Sequence, residues 1–363
     1  MLVNNIKPYI ILFIELIVFT GCLSSPDFSS PKFLNTNIHR KIDSKIIAGY
    51  ESIEKQNFYY NEWMTDITYI VSGELDSEDG PDVGVFDQFG MDIVDFDGKR
   101  KSSIFFNWEG AVLEPDIRMK KNGDFEFIVR YQAPFGLMDQ RGEPIWVFND
   151  ELSYKMAFGD TNKDDFPEYY IATTSLIQLD MQGKKIWQTR DEIFNDVEVY
   201  NPDNSERSLV VTSNHAGIIQ LRDYKGNIVD QWTPKEKIHN FKICRWLNSQ
   251  YILTSHNDEI IIIDLNGQEI MHHKVSHSPS GIYSIRGVSV KFDRDKDYFA
   301  VVTKFSSATG LSMLCIFSPE KKLIFQELVG ATTGLAAIDM PFSKRQMLLV
   351  GNGPGLVNKY EWR

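Results

Sequence analysis

The 363-residue sequence contains only three cysteines, no long basic run and no stretch with helical periodicity. Its longest basic run is Lys99-Arg100-Lys101, in a chain whose net charge is −12. Binding to a nucleic-acid backbone depends on Lys and Arg stripes that displace counterions, so this charge balance argues against a nucleic-acid partner. No long segment combines a 3.6-residue apolar period with helix caps, which leaves an all-β chain as the prediction.

The three cysteines fall into two groups. Cys244 and Cys315 each lie in an apolar, strand-like run, and we expect both to be buried thiols that behave as small apolar residues. A disulfide between them would have to cross from one repeat to another, and the sequence leaves that pairing open. Cys22 directly follows an apolar segment and belongs to a targeting signal.

That apolar segment, Tyr9 to Thr20, has the length of a signal-peptide core and is too short to span a membrane comfortably. It ends in Phe19-Thr20-Gly21-Cys22, which resembles the lipobox of bacterial lipoproteins, whose cysteine is lipidated. The resemblance implies a signal peptide over residues 1–21 and an extracytoplasmic protein. Lipidated Cys22 would anchor it to the periplasmic or cell-surface face of a bacterial membrane. An uncleaved signal anchor and a secretory signal cut elsewhere are the alternatives.

Residues 22–57 are predicted to be a tether and a polar lead-in, because Ser and Pro are dense just after Cys22. The remaining chain, 58–363, is predicted to be one domain. It contains a repeated turn motif, Asp-x-x-Gly, in which an apolar alternating run precedes the Asp and another follows the Gly. The Asp carboxylate can accept a backbone N–H two residues on, and Gly can adopt the positive φ that a tight hairpin requires.

The spacing of this motif indicates a repeat architecture. Successive copies start 44, 41, 43 and 41 residues apart, and a weaker sixth copy, Ser318–Lys321, has lost the Gly. Repeats of this length built only from strands are typical of β-propellers, and a stacked solenoid is the alternative. The five full copies are Asp95–Gly98, Asp139–Gly142, Asp180–Gly183, Asp223–Gly226 and Asp264–Gly267.

We predict a seven-bladed β-propeller of four-stranded antiparallel blades. The seventh blade begins near Leu335, and the chain ends before that blade reaches a fourth strand. An open edge would expose unpaired backbone N–H and C=O groups. We therefore expect an N-terminal strand, Phe58–Met64, to close the ring as the outer strand of blade seven.

The repeats resemble two propeller families. Leu179-Asp180-x-x-Gly183-Lys184-x-Ile186-Trp187 resembles the repeat of pyrroloquinoline-quinone-type propellers, which implies a Trp packed between blades. Gly142-Glu143-Pro144-Ile145-Trp146 has the same spacing, while Asp230 and Met271 replace the Trp in blades four and five. Phe158-Gly159-Asp160-x-Asn162-x-Asp164 resembles the calcium loop of FG-GAP/VCBS-type propellers. A propeller fold does not by itself determine a function.

Two loops carry oxygen ligands at the spacing that a hard cation such as Ca²⁺ prefers. Carboxylates gathered without a cation repel one another, which favours binding of one, and an acidic solvated turn is the alternative. A bound ion would be structural. The candidate ligands are Asp160, Asn162, Asp164 and Glu168 in blade three, and Glu74, Asp76, Glu78 and Asp82 in blade one.

The turns between the second and third strands carry a set of polar residues. These turns emerge at one end of a propeller, opposite the calcium-like loops, where they surround the mouth of the channel. Ser and Asn are also ordinary turn residues, so the pattern has a purely structural alternative. The candidate binding residues are Thr174, Ser175, Asn214, His215, His256, Asn257 and Asn352.

These observations predict a non-catalytic, membrane-tethered binding or scaffold propeller that recognises a protein or a glycan, with possible structural calcium. One alternative is an enzyme, quinoprotein-like or hydrolytic, in the propeller channel. It requires charged residues from several blades to converge on the axis with perturbed pKa values. The other alternative is an envelope assembly factor, which requires a hydrophobic or strand-edge docking patch at the mouth.

Overall fold

The structure is a computed structural model. It describes residues 52–363 except 77–80, 109–111, 113–114, 121–123, 131–133, 150–154, 190–191, 202–207, 239, 277, 279–280, 306–309 and 342. This part of the chain contains 28 β-strands, and no helix in it is long and apolar enough to cross a membrane. The predicted signal peptide and Cys22 lie outside the described residues.

The strands form seven four-stranded antiparallel sheets, which confirms the predicted blades. Blade one contains β2 (Tyr69–Gly73), β3 (Asp82–Phe86), β4 (Gly90–Val94) and β5 (Arg100–Phe105). Blade two contains β6 (Pro115–Met119), β7 (Phe125–Val129), β8 (Phe135–Asp139) and β9 (Pro144–Phe148). Blade three contains β10 (Lys155–Gly159), β11 (Glu168–Ala172), β12 (Leu176–Leu179) and β13 (Lys185–Gln188).

The other four blades continue the pattern. Blade four contains β14 (Phe194–Tyr200), β15 (Leu209–Asn214), β16 (Ile219–Arg222) and β17 (Ile228–Trp232). Blade five contains β18 (Phe241–Trp246), β19 (Ser249–His256), β20 (Glu259–Ile263) and β21 (Glu269–Lys274). Blade six contains β22 (Ile282–Asp293), β23 (Lys296–Phe305), β24 (Leu311–Phe317) and β25 (Leu323–Gly330). Blade seven contains β26 (Leu335–Asp339), β27 (Gln346–Gly351), β28 (Leu356–Trp362) and, from the start of the domain, β1 (Ile53–Tyr60).

The strand β1 closes the ring as the outer strand of blade seven, as the sequence analysis predicted. It pairs antiparallel with β28, from Ile53 opposite Trp362 to Tyr60 opposite Leu356. The closing strand therefore begins five residues before the Phe58 at which the sequence analysis started it, and it ends at Tyr60 rather than Met64. The prediction placed the strand too late, because the polar residues 54–57 face outward on an edge strand and give a weak apolar signal.

The core is divided among the blade interfaces. Seven apolar clusters fill the seven contacts between successive blades, and one of them joins blade seven to blade one. The second and third strands of most blades are buried on both faces, whereas outer strands such as β5 and β17 are largely exposed. Each sheet thus stabilises the ring mainly by packing against its two neighbours.

The Asp-x-x-Gly turns have one geometry in five blades. In each, the Gly N–H donates to the Asp carbonyl at 2.9 to 3.1 Å, and the Gly φ lies between 77° and 84°. The Asp Oδ1 accepts the N–H groups two and four residues on. In blade six, Lys321 takes the glycine position with a φ of 66°, so the weak sixth copy forms the same turn.

A tryptophan on an outer strand packs on the turn glycine of the following blade. The Trp187 indole donates from Nε1 to the Tyr224 carbonyl at 3.1 Å, and a Cβ at Gly226 would lie only 3.0 Å from its ring. The rings of Trp146 and Trp232 pack in the same way on Gly183 and Gly267, although Trp146 Nε1 has no hydrogen-bond partner among the described residues. Glycine is required at these turns both for its positive φ and for the approach of the ring.

Trp232 corrects the interpretation of blade four. The sequence analysis assigned the tryptophan position to Asp230, which is exposed and pairs with Leu221. Trp232 lies two residues further along, on the same face of β17, and pairs with Ile219. It donates from Nε1 to the Leu265 carbonyl at 3.1 Å, so blade four keeps the contact with a two-residue offset.

The two ends of the ring differ in what they carry. We call the end at which the first strands begin the mouth end, and the opposite end, which carries the third-to-fourth-strand turns, the turn end. In an antiparallel blade, the second-to-third-strand turns also lie at the mouth end. The first strands begin at Tyr69, Pro115, Lys155, Phe194, Phe241, Ile282 and Leu335.

Candidate functional site

The predicted binding residues lie in second-to-third-strand turns, at the mouth end. Two of them hold their own turns together, and a third ties its turn to blade six. Ser175 Oγ lies 3.2 Å from Thr173 Oγ1, Asn214 Oδ1 accepts the Ile218 N–H, and Asn352 Oδ1 accepts the N–H of Gly330 in β25 at 2.7 Å. Thr174, His215 and Asn257 are exposed, and His256 Nε2 lies 3.5 Å from a Glu236 carboxylate oxygen. As ligand-binding residues all seven stay predictions.

Charged side chains converge on the axis just inside this end. Arg130, after β7 of blade two, donates from Nη1 to Asp116 Oδ2 at 2.8 Å and from Nη2 to Glu198 Oε2 at 2.9 Å. Glu198, in blade four, also lies 3.1 Å from Lys242 Nζ in blade five. One carboxylate therefore links cations from two other blades.

A second ion pair lies beside the first. Lys155 Nζ of blade three is 3.0 Å from Asp196 Oδ2 of blade four, and both side chains are buried. Asp196 Oδ2 also accepts the Phe241 N–H of blade five at 2.8 Å. Burial raises the pKa of Asp196 above its ordinary value, although Lys155 acts in the opposite direction. The carboxylate thus depends on its cation to stay charged.

Glu198 shows the opposite pKa shift. Burial would raise its pKa, but the charges of Arg130 and Lys242 outweigh burial and hold the pKa below its ordinary value. Two carboxylates on one strand, Asp196 and Glu198, therefore differ in protonation behaviour because Glu198 faces more cations.

Tyrosine and arginine complete the set on the other side of the axis. Tyr69 of blade one donates from its hydroxyl to Asp116 Oδ1 at 2.8 Å, and the Arg286 guanidinium of blade six lies 4.1 Å from the Tyr69 ring centroid. Burial and Asp116 raise the pKa of Tyr69, which keeps it a neutral donor. We call these residues the axial network: Tyr69, Asp116, Arg130, Lys155, Asp196, Glu198, Lys242 and Arg286.

A small cavity of about 110 Å³ lies above the axial network. Strands of blades three, five and six contribute to its walls, together with Thr68 just before blade one and Thr333 just before blade seven, which places it near the axis. It is much smaller than the 300–1,000 Å³ typical of sites for drug-sized ligands and cofactors. The lining includes Thr68, Lys155, Lys242, Tyr283, Lys304 and Thr333.

Four exposed aromatic side chains lie at the mouth ends of strands in blades seven and one. Tyr60 ends β1 and Trp63 follows it, Phe89 lies in the turn between β3 and β4, and Phe105 ends β5, where its carbonyl lies against Gly142 of blade two. Asp87 ties its parts together, since its carboxylate accepts the Thr65 N–H at 2.9 Å and the Phe89 N–H at 2.8 Å. Trp63 is 82 % exposed, which is unusual for so large an apolar side chain. We call this set the aromatic rim: Tyr60, Trp63, Phe89 and Phe105, each more than half exposed.

The blade-three loop at the turn end gathers the four predicted calcium ligands. The Asn162 amide donates to Glu168 Oε1 at 2.6 Å and to Asp164 Oδ2 at 3.0 Å. Asp160 accepts the N–H groups of Asp164 and Asp165, and Asp165 has a φ of 70°, a conformation that favours glycine. The loop thus forms a tight turn that is held by hydrogen bonds among these side chains and to its own backbone.

The blade-one loop is built differently, and Glu78 lies outside its described residues. Lys101 Nζ lies 2.5 Å from Asp76 Oδ2 and 3.0 Å from Asp82 Oδ1, while Glu74 is exposed. A cation there would compete with the ammonium group. Between Ser52 and Arg363, outside the gaps given above, no three His, Cys, Asp or Glu side chains are grouped as metal ligands. Calcium therefore stays a prediction for both loops.

Cys244 and Cys315 are free, buried thiols, as the sequence analysis expected. Both belong to the apolar cluster between blades five and six. Burial raises the pKa of Cys315 to about 12 and that of Cys244 further, so neither is a reactive thiolate.

The sequence analysis missed the axial network and the aromatic rim. A signal for the network was present in β14, where Asp196 and Glu198 alternate with valines in a strand that is otherwise apolar. Alternation places both carboxylates on one face, and charge in an inner strand indicates a partner across the axis. The sequence around Trp63 gave no comparable signal, because an aromatic residue in a loop can be buried in the core as readily as exposed on the surface.

Comparison with known proteins supports the fold alone. No family model matches the chain, and no curated protein matches it. A crystal structure of BBS1N in complex with ARL6DN, soaked with mercury, has a TM-score of 0.60 at 10% identity, covering 85% of this chain and 97% of that chain. The lead-soaked crystal of the same complex has a TM-score of 0.59, with the same identity and coverage. At this identity the likeness shows a shared propeller fold.

Proposed function

We propose that this protein is a non-catalytic binding or scaffold propeller that docks a protein partner on its mouth end. The aromatic rim carries the proposal. Exposed Trp, Tyr and Phe side chains supply large contact area at low entropy cost, and aromatic anchors dominate the energy of many protein interfaces. The similar fold in the BBS1N crystals occurs in a complex with another protein, ARL6DN, which supports the same proposal.

The proposal includes a location outside the cytoplasm. Lipidated Cys22 would hold the protein on the periplasmic or cell-surface face of a bacterial membrane, and the residues between Cys22 and β1 would span the distance to the ring. Replacing Cys22 with Ala should move the protein from the membrane fraction to the soluble fraction. Retention of the Cys22→Ala variant in the membrane would contradict the lipid anchor.

The docking proposal is tested by crosslinking in native membranes, with mass spectrometry of the captured proteins. We expect Trp63→Ala/Phe105→Ala to reduce capture of a specific partner at least about tenfold, because anchors of this type contribute 2 kcal/mol or more. Ile228→Ala/Val229→Ala is the matched control, since these residues are also exposed and apolar but lie on the outer strand of blade four. Equal loss in both variants, or in neither, would contradict docking at the rim. Capture of a glycan in place of a protein would also overturn it.

The assembly-factor alternative gains support from the same observation, because it requires an apolar docking patch at the mouth end. The two functions differ in the state of the partner. An assembly factor binds an unfolded outer-membrane protein, whereas a scaffold binds a folded one. Binding of a urea-denatured outer-membrane protein that depends on Trp63, with no binding after the partner folds, would favour assembly.

The enzyme alternative meets one of its requirements. Charged residues of several blades converge on the axis, and the pKa values of Asp196 and Glu198 are perturbed. The cavity above them, at about 110 Å³, is too small for a quinone-sized cofactor, and both carboxylates are engaged in ion pairs. These observations favour a structural role for the axial network.

A further inference from the structure

The axial cavity has an unusual chemical lining for a protein of net charge −12. Three lysines, Lys155, Lys242 and Lys304, contribute to its walls, and none of the described wall residues is a carboxylate. A lysine without a counter-charge gives this space a positive potential, and charge interactions there are stronger than in water because protein surrounds much of the space.

Lys304 differs from the other two lysines. Lys155 and Lys242 are neutralised by Asp196 and Glu198, which lie behind them. Among the residues that the structure describes, Lys304 has no ion-pair partner. The charge of Lys304 lowers the pKa of the partly buried Asp66, although burial raises that pKa overall. The Asp66 carboxyl is not part of the cavity wall.

Thr68 supplies a second, independent observation. It is 9 % exposed and lines the cavity, and its Oγ1 has no hydrogen-bond partner within the described protein. Its backbone is fully engaged, since its N–H donates to the Phe86 carbonyl and its own carbonyl accepts from Thr333 Oγ1. A buried hydroxyl without a partner is costly, and most such groups in native proteins find one.

We propose that this cavity binds one small oxyanion, such as phosphate, sulfate or a short carboxylate, between Lys304 and the hydroxyl of Thr68. The ammonium group of Lys304 and the hydroxyl of Thr68 both donate hydrogen bonds to the anion. The volume suits such an ion, because a cavity of about 150 Å³ accommodates benzene. A nucleotide or a dinucleotide would not fit. This site is independent of docking at the aromatic rim.

The experiment titrates the full chain with sodium phosphate, sodium sulfate and sodium acetate, with sodium chloride at matched ionic strength as the reference. Calorimetry measures binding, and thermal unfolding measures the accompanying rise in Tm. We expect saturable binding of at least one oxyanion and none of chloride. Tighter binding of phosphate or sulfate than of acetate would indicate a site for a tetrahedral anion, and tighter binding of acetate would indicate a site for a planar carboxylate. No binding in any oxyanion arm would overturn the proposal.

Two variants locate the site. Lys304→Gln should weaken oxyanion binding about tenfold or more, because it removes a charge-assisted hydrogen bond. Lys344→Gln, an exposed lysine between β26 and β27 at the turn end, is the matched control and should leave the affinity unchanged. Equal affinity of the wild type and Lys304→Gln would overturn the site.

Thr68→Val separates binding from folding. It keeps the shape of the side chain and removes the hydroxyl, so the ligand-free protein should have an equal or higher Tm. Its oxyanion affinity should nonetheless fall several-fold. An unchanged affinity would remove Thr68 from the site, and the proposed geometry would then be wrong.

Discussion

The turn end and the mouth end of the ring are built on opposite plans. At the turn end, five Asp-x-x-Gly turns share one hydrogen-bond pattern and one glycine φ, and a sixth reproduces them with Lys321. At the mouth end, Asn214 and Asn352 begin similar turns, but the axial network is assembled from different residue types in different blades. The turn end specifies the backbone of the ring, whereas the mouth end carries the features that could serve a ligand or a partner.

The two ends also manage charge differently. The turn-end carboxylates are satisfied within their own turn, by backbone N–H groups two and four residues away. In the axial network a carboxylate is satisfied by a residue of another blade, as in the contact between Arg130 and Glu198, which are 68 residues apart. A carboxylate whose hydrogen bonds are all made within its own turn is insensitive to substitutions elsewhere. A carboxylate whose partner lies in another blade couples the stability of the two blades.

The largest expected effect breaks the axial network at the mouth end. Lys155→Met leaves Asp196 fully buried without its cation, which should lower the free energy of unfolding by about 3–5 kcal/mol in urea titrations. Folded Asp196 has a raised pKa, so it binds a proton more readily than in the unfolded chain. The stability of the variant should therefore fall as pH rises above about 4, the ordinary pKa of an Asp, while Asp196 loses that proton.

The control for this prediction is the double variant Lys155→Met/Asp196→Asn. The asparagine is neutral and keeps an oxygen that can accept the Phe241 N–H. It should recover most of the lost stability, and the pH dependence should disappear. Strictly additive losses from the two substitutions would show that the pair is not coupled.

A smaller effect is expected at the turn end, from calcium. At about 100 times its dissociation constant, Ca²⁺ should raise the free energy of unfolding by about 2.7 kcal/mol if it binds the folded blade-three loop alone. Asp160→Ala should abolish that increase, because it removes one of the four candidate ligands. Calorimetric titration and unfolding in Ca²⁺ and in EDTA measure the effect.

Blade one offers the matched control for calcium. Lys101 already lies between Asp76 and Asp82, so Asp76→Ala should leave the calcium effect unchanged. Equal stability in Ca²⁺ and EDTA for the wild type would remove calcium from the blade-three loop. A calcium effect lost in Asp76→Ala would instead assign the ion to blade one.

The smallest effect tests the repeated turn itself. Gly183→Ala places a Cβ at a φ of 77° and 2.7 Å from Cδ2 of Trp146, so it should cost about 1–3 kcal/mol. Lys321→Gly makes the opposite change in the sixth turn. It should stabilise the protein by less than about 1 kcal/mol, because relief of the left-handed strain is partly offset by glycine entropy. Thermal and urea unfolding of both variants provide the comparison, and a stabilising Gly183→Ala would contradict it.

Sequence and structure agree best where a signal is local and repeated. The period of the motif predicted the number of blades, and the missing fourth strand of blade seven predicted closure by β1. The prediction failed for Trp232, because a two-residue offset keeps a strand side chain on the same face and leaves no trace in motif spacing. It also missed the ion pairs of Lys101 in β5, because their carboxylates, Asp76 and Asp82, lie between β2 and β3 and at the start of β3.

The amino-acid sequence determined the all-β fold, its seven blades and its tight turns, because hydrophobic alternation and turn chemistry act over a few residues. The tertiary structure alone decided which charges meet on the axis, that Thr68 and Lys304 line one cavity, and that the aromatic rim is exposed. Those outcomes depend on residues from different blades. Only closure of the ring brings them within the few ångströms over which hydrogen bonds and ion pairs act.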